Sequence, residues 1–359
     1  MSTTLSPIEL YRASELPASY WDRWSETQLE NPALASPQFR PEWVQILAQV
    51  QPDIEVGIIR PGGKPAAFFP FQRTRSAAAG PVGGVLTDIH GIIAPANMRI
   101  DFRQLLAGCR LRSWRFDHVP VDQCWLRPYQ LEIDPAPVVD LSYGFEAYWN
   151  EKQHSHKSWC KQLQRKERKL ARDVGPVRFE PHSTAPEALG QLLKWKSQQL
   201  SETGMRNPYH EAPTRAILES VVSCETDYFT GCLSALYAGD RLVAALLGQK
   251  SGKHLNAWIP SYDVDYAQYS PGAILHMHLA RSMADEGITR IELGRGMNPL
   301  KRVLGSWDSP LAIGSADTRR IGKLVSGIVH HVRFQMKQSS FLVQSVRLCR
   351  RLRGRAIWH

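Results

Sequence analysis

The stretch from Trp258 to Trp307 carries residue types whose spacing suits the binding of a charged group beside a reactive one. Ser270-Pro271-Gly272-Ala273 reads as a helix start. Ser270 suits the N-cap, Pro271 suits the first helical position, and Gly272 lets a backbone or ligand approach closely. The N–H groups and positive dipole end of such a start attract phosphate, although the same residues also serve an ordinary capped helix. Ile274, Leu275, His278, Leu279, Ala280 and Met283 give the helix a buried face. The strand that follows ends in Glu292, then Gly294-Arg295-Gly296, where side chains vanish beside a charge, and Lys301 comes soon after. A helix start next to a glycine-flanked strand end makes an α/β crevice, the usual place for a ligand.

The elements that must position these groups occur in an order seen twice. In the first half a helix (43–50) leads into a strand (54–60), a Pro61-Gly62-Gly63 turn and an apolar run (65–72). In the second a helix (213–223) leads into 228–237, an Ala238-Gly239-Asp240 turn and 241–249. Both predict a hairpin. Each hairpin is followed by a Gly/Pro-punctuated stretch, a helix and a short strand: 102–111 into 113–119, and 272–286 into 289–293. No identity of residues links the two halves. Between them lies a basic helix, 156–172, ending at Val174-Gly175-Pro176. Lys161, Arg165, Arg168/Lys169 and Arg172 place positive charge along one face of it, suited to a phosphate-rich ligand or simply to solvent.

At this point the chain resembles the GNAT-superfamily acyltransferase domain of proteins named for biotin synthesis and for bacterial cellulose or exopolysaccharide production, relatives of the Fem-type transferases. The resemblance is carried by the basic helix HKSWCKQLQRKERKLARDVG, by LKWKSQQL, by CLSALYAGDRLVAALLGQ, by SYDVDYAQYSPGAIL and by GITRIELGRGMNPLKRVLGSW. It implies tandem GNAT-like domains of the α/β class with mixed sheets. The expected division is 1–145, non-catalytic; 146–318, the acyltransferase domain; and 319–359, a basic helical tail. An acidic residue, usually Asp, stands in such families where this chain has Glu292, followed by Gly294, Gly296 and Lys301. The family's pyrophosphate loop is written Gln/Arg-x-x-Gly-x-Gly/Ala. The run Gln268, Tyr269, Ser270, Pro271, Gly272, Ala273 departs from that spacing, which leaves a carrier other than acetyl-CoA open.

The implied chemistry is attack of an amine or hydroxyl on the thioester of an acyl-CoA, acetyl or longer, or of a similar carrier. Glu292 is then a base or a holder of the acceptor, paired with Arg295 or Lys301; a Glu–Lys pair that merely fixes the loop is the alternative. Tyr262 or Tyr266, on the loop before the helix, can act as acid or simply pack there, and Asp263 or Asp265 can orient the acceptor. Trp258 and Trp307 can stack on a sugar or pack in the core, and Lys161, Arg165 and Arg295 are candidates for holding substrate. The expected acceptor is an amino or hydroxyl group on a sugar, glycan or cell-envelope precursor, with a place in polysaccharide biosynthesis. The competing reading is a non-catalytic GNAT fold that uses its basic surfaces for a protein partner or nucleic acid.

Composition bounds these readings. At 359 residues the chain has room for two domains of ordinary size, and 43% hydrophobic with 22% charged residues is a globular balance. No apolar run is long enough for a membrane span, and Met1–Leu10 has neither a basic start nor an apolar core, so a cytoplasmic address is expected. The net charge is +10. From Arg319 to the end there are ten Lys or Arg and no Asp or Glu; setting those ten aside leaves 34 of the 44 basic residues against 34 acidic ones. The excess charge therefore belongs to the tail, and a nucleic-acid-binding fold is disfavoured. Apolar residues from Leu324 to Met336 at helical spacing suit either a cap on the second domain or a peripheral helix resting on the anionic inner membrane. Six scattered cysteines read as free thiols. The pairs His154/His156, His276/His278 and His330/His331 point to different helix faces, so no metal is expected.

Overall fold

A computed structural model describes residues 8–75, 77–203 and 207–318. The tail from 319 onward, with its expected helix and membrane contact, lies outside the described residues.

Two seven-stranded sheets form the frame. The first holds β1 (Ile8–Arg12), β2 (Ile54–Ile59), β3 (Ala67–Arg75), β4 (Ala78–Gly80), β5 (Ser113–Pro120) and β6 (Gln130–Asp134). The second holds β7 (Pro137–Asp140), β8 (Val177–Glu180), β9 (Thr230–Ala238), β10 (Arg241–Ser251), β11 (His254–Tyr262), β12 (Arg290–Glu292) and β13 (Trp307–Asp308). The last strand, β14 (Leu311–Asp317), returns to the first sheet. Spatial orders are β1-β2-β3-β4-β5-β14-β6 and β13-β7-β12-β11-β10-β9-β8. Read inward from β1 and from β8, both sheets show three antiparallel pairings, one parallel pairing and two more antiparallel ones. The repeated order seen in the sequence is thus a repeated architecture.

The two units also exchange a strand. β7, which follows the first unit in the chain, lies between β12 and β13 of the second sheet. β14, which follows the second unit, lies between β5 and β6 of the first. The division expected at 145/146 is one of chain order, and the sheets are shared across it.

Both expected hairpins are present. Ile59 faces Ala67 across the first turn, and Ala238 faces Arg241 across the second, where Gly239 takes the positive φ that a two-residue connection requires. β9 and β10 are almost continuously apolar because both faces of the second sheet are covered.

The helices are α1 (Ala18–Glu30), α2 (Pro41–Ala48), α3 (Phe102–Gly108), α4 (Gly144–Ser155), α5 (Lys157–Asp173), α6 (Pro186–Thr203), α7 (Ala212–Val222), α8 (Pro271–Asp285) and α9 (Pro299–Leu304). One core joins the halves: Trp24, Trp43 and Phe68 pack in it with Leu192, Ile217 and Trp258. A second core lies under α4, α5 and α8, and a third under α3. Among the described residues the five cysteines are unpaired, and no helix is long and apolar enough to cross a membrane.

Candidate functional site

The crevice anticipated around α8 forms where two parallel strands part. β11 and β12 share three rungs, ending at Asn256 opposite Glu292. Beyond them β11 continues to Tyr262 paired with β10 alone, while the chain after Glu292 turns toward β7. The Leu293 N–H donates to the Pro137 carbonyl at 3.0 Å and the Gly296 N–H to the Pro135 carbonyl at 2.8 Å. Gly294 and Gly296 allow that turn with φ of 75° and 84°. The gap opens beyond the carboxyl ends of these strands, and α8 starts on one lip of it.

That helix start is held in an unusual way. Ser270 occupies the N-cap position in a left-handed conformation, φ 56°, and its side chain does not cap the helix. Instead its Oγ lies 2.7 Å from the Lys166 ammonium of α5, which donates to it. The Ala273 and Ile274 N–H groups bond the Ser270 carbonyl at 3.0 and 3.2 Å. Gly272 lies under the Tyr262 ring, and a Cβ on it would come within 3.3 Å of that ring. His276 reaches back to the Gly272 carbonyl at 2.7 Å; burial lowers its pKa, with the Lys301 charge adding to the effect. The corresponding helix of the first unit, α3, differs. The Asp101 carboxylate accepts from the Arg103 and Gln104 N–H groups at 3.0 and 3.3 Å, so its start is already filled.

The floor of the crevice is polar and drawn from both halves. Glu292, 4% exposed, accepts from the Ser36 hydroxyl at 2.7 Å and sits 3.3 Å from Arg290. Burial raises its pKa, and Arg290 and Ser36 offset that only in part. Asn256 and Gln249, fully buried in the neighbouring strands at the same level, leave all four of their side-chain polar atoms without protein partners. A narrow opening next to Glu292 and Gly294 is walled by Ile89, by Pro137 of β7 and by Leu311 of β14, so both exchanged strands line it.

Lys301 lies across Gly294. Its Nζ donates to the Gly294 and Arg295 carbonyls at 3.0 Å each, and burial pulls its pKa down to about 8 against the attraction of Asp88. Asp88 comes from the first half: a Cβ on Gly294 would be 3.6 Å from its Oδ2 and 3.8 Å from Lys301 Nζ. Lys196 of α6 and Tyr209 complete this wall; burial lowers the first pKa and raises the second, and each feels the Asp88 charge.

The expected residues distribute unevenly over this arrangement. Tyr262, Ser270, Gly272, Glu292 and Lys301 surround the parting of the strands. The expected partnership of Glu292 with Arg295 or Lys301 is replaced by Arg290, two residues back on the same strand face, and by Ser36. Arg295 instead lies 3.5 Å from Asp134. Asp263 accepts from the Asp265 N–H at 3.0 Å, capping the turn at 264–269; Gln268 is exposed on that turn, and Ala273 is buried in the core under α8. Trp258 packs edge-on against Trp43, with ring centres 5.3 Å apart, and Trp307 lies under Arg290. Lys161 and Arg165 are exposed in a shallow depression beside Trp159. Lys166 and Lys169, on another face of α5, are the cations that touch the loop at Tyr269 and Ser270. Asp88, Lys196 and Tyr209 escaped the sequence argument. A lone Asp and His inside the apolar stretch Pro81–Ala94 were the available signal for the first.

A family model described as an acetyltransferase (GNAT) domain matches residues 157–302. No curated protein matches the sequence. Among solved structures the chain is similar to FemX, with a TM-score of 0.55 at 9% identity, covering 86% of this chain and 96% of that one. It is also similar to the C-terminal domain of a protein described as a lysylphosphatidylglycerol synthetase from Agrobacterium fabrum, with a TM-score of 0.53 at 14% identity over 86% and 94% of the two chains. A conserved protein of unknown function from Bacteroides thetaiotaomicron aligns with a TM-score of 0.50 at 10% identity over 86% and 100%. At these identities the likeness is one of fold: tandem GNAT-like units in mixed α/β sheets.

Proposed function

We propose that this chain is an acyltransferase that moves an acyl group from acyl-CoA or a similar thioester carrier to an amino or hydroxyl group. The observation that carries this reading is the parting of β11 from β12 between the uncapped start of α8 and the Gly294–Lys301 turn. The carrier's phosphates would lie at Ser270–Ala273, where the α8 dipole and the Lys166 and Lys169 charges favour an anion. Gly272 lets the Tyr262 ring pack directly against this turn. The thioester then enters the gap with its carbonyl near Lys301 and Asp88.

Lys301 is the candidate base. Two of its N–H bonds are taken by the Gly294 and Arg295 carbonyls, which leaves the third position as a lone pair when the amine is neutral. In the reaction the acceptor N–C or O–C bond forms as the C–S bond breaks. Lys301 takes the acceptor's proton, and the thiolate leaves past Tyr262, the candidate acid. Glu292, already bonded to Ser36 and Arg290, shapes the floor that the acceptor meets. The resemblance to envelope-polysaccharide proteins favours a sugar, glycan or cell-envelope precursor as acceptor, and the basic tail from Arg319 favours a peripheral place at the inner membrane.

Calorimetric titration with acetyl-CoA and with a longer acyl-CoA tests the donor site. Saturable binding that is lost in Gly272→Trp, with the fold of the variant checked by circular dichroism, is the expected result. No binding of either thioester by the folded native chain overturns an acyl-CoA-dependent enzyme.

A further inference from the structure

The first half holds a cluster of side chains that acyl transfer does not employ. His90 lies on the loop ahead of α3, and Asp117 and His118 lie near the carboxyl end of β5. Each places one potential ligand atom so that all three fall within 4.8 Å of one another. His118 Nδ1 is 2.9 Å from Asp117 Oδ1, and His90 Nε2 is 3.9 Å from the same oxygen. The short pair is not aligned as a hydrogen bond: His118 Nδ1 and Asp117 Oδ1 are both buried atoms without a hydrogen-bond partner. His90, 4% exposed, is fixed edge-on to Trp114; its Nε2 accepts only a long 3.4 Å bond from the Asp117 N–H, and its Nδ1 has no partner. A structural His–Asp pair ordinarily satisfies its buried polar atoms, and a bound cation is one of the accepted reasons for buried atoms left unpaired.

We propose that His90, Asp117 and His118 form a binding site for one divalent first-row transition-metal ion of the zinc type. Two imidazole nitrogens and a carboxylate oxygen suit zinc, iron, cobalt or nickel rather than the soft ions that thiolates select, and three protein ligands leave a coordination position for water or a further ligand. Arg295, the positive group that faces the cluster, is occupied by Asp134 at 3.5 Å. The site adjoins the crevice wall, since His118 acts electrostatically on Asp88.

The test uses the untagged full chain stripped with chelator and titrated with Co2+, read by visible d–d absorption, and then with Zn2+ and Fe2+ in competition, with bound metal counted by elemental analysis. One equivalent of Co2+ giving visible bands, displaced by Zn2+ or by Fe2+, is expected, and the displacing ion identifies the preferred metal. In the double variant Asp117→Asn/His118→Asn, affinity should fall at least 100-fold, while His154→Ala on exposed α4 should bind as the native chain does. Circular dichroism and thermal melting establish that the double variant is folded; if it is not, the single variant His118→Asn takes its place. Absence of a stoichiometric band, or a band that survives in the folded variant, overturns the site.

Discussion

The strand exchange makes a measurable demand on cooperativity. β7 is the second sheet's neighbour to both β12 and β13, and Val139 on it is 3% exposed, opposite Ile291 and packed in the core under α4 and α8. Val139→Ala removes two buried methyl equivalents, about 1.6 kcal/mol at roughly 0.8 kcal/mol per group, and the residual cavity brings the total to about 2–3 kcal/mol. If the two units were separate domains, that loss would be confined to the second sheet. Because β7 and β14 tie each sheet to the other unit, and one apolar core spans both, global unfolding should open them together. Hydrogen exchange followed by mass spectrometry under native conditions reads this directly. In Val139→Ala, slowly exchanging peptides from β11 and from β5 should both speed up, by about 10- to 100-fold, since 1.4 kcal/mol is a factor of ten. Acceleration of β11 with β5 unchanged would refute the claim that the exchanged strands make one cooperative unit.

Three further outcomes follow from the crevice. Ser36→Ala should destabilise the chain by about 1–3 kcal/mol in urea unfolding, because it strips a 2.7 Å donor from a buried carboxyl; a change within error would show that water replaces the hydroxyl without loss. Glu292 has a raised pKa, so the stability it contributes is full below the unfolded value near 4.5 and is lost as pH rises through the folded value. Glu292→Gln should therefore gain on the native chain as pH rises from acid to neutral, and an unfolding series with a flat or opposite difference would contradict the burial argument. Lys301, reductively 13C-methylated and assigned with Lys301→Arg, should titrate in NMR near pH 8 while exposed lysines titrate above 10; a midpoint among the exposed lysines would remove it as the base.

Much of the scaffold was readable locally. Turn residues at Pro61–Gly63 and Ala238–Asp240 separate apolar runs, and 3.6-residue periodicity marks α5 and α8, because these signals arise within a few residues and need no distant partner. The repeated order of helix, hairpin, helix and strand followed from them. So did the placing of Gly272, Glu292 and Lys301 at one opening, since a parallel β11-α8-β12 unit brings a helix start and a strand end together whatever surrounds them.

Pairing over distance was not readable. β7 and β14 are short and apolar with no periodicity that names a partner, and only the competition of whole sheet edges for hydrogen bonds sends each into the other unit's sheet. Glu292 looked in the sequence for a cation nearby. Burial settled the matter instead, through Arg290 on its own strand face and Ser36, 256 residues away. Asp88, Lys196, and the meeting of His90 with Asp117 and His118, depend likewise on how the loop after β4, α6 and β5 pack around that edge. The sequence by itself determined which elements form and what chemistry one strand end can offer. The tertiary structure decided which charges share its desolvated space, because the energy of a buried charge is set by neighbours that chain order does not reveal.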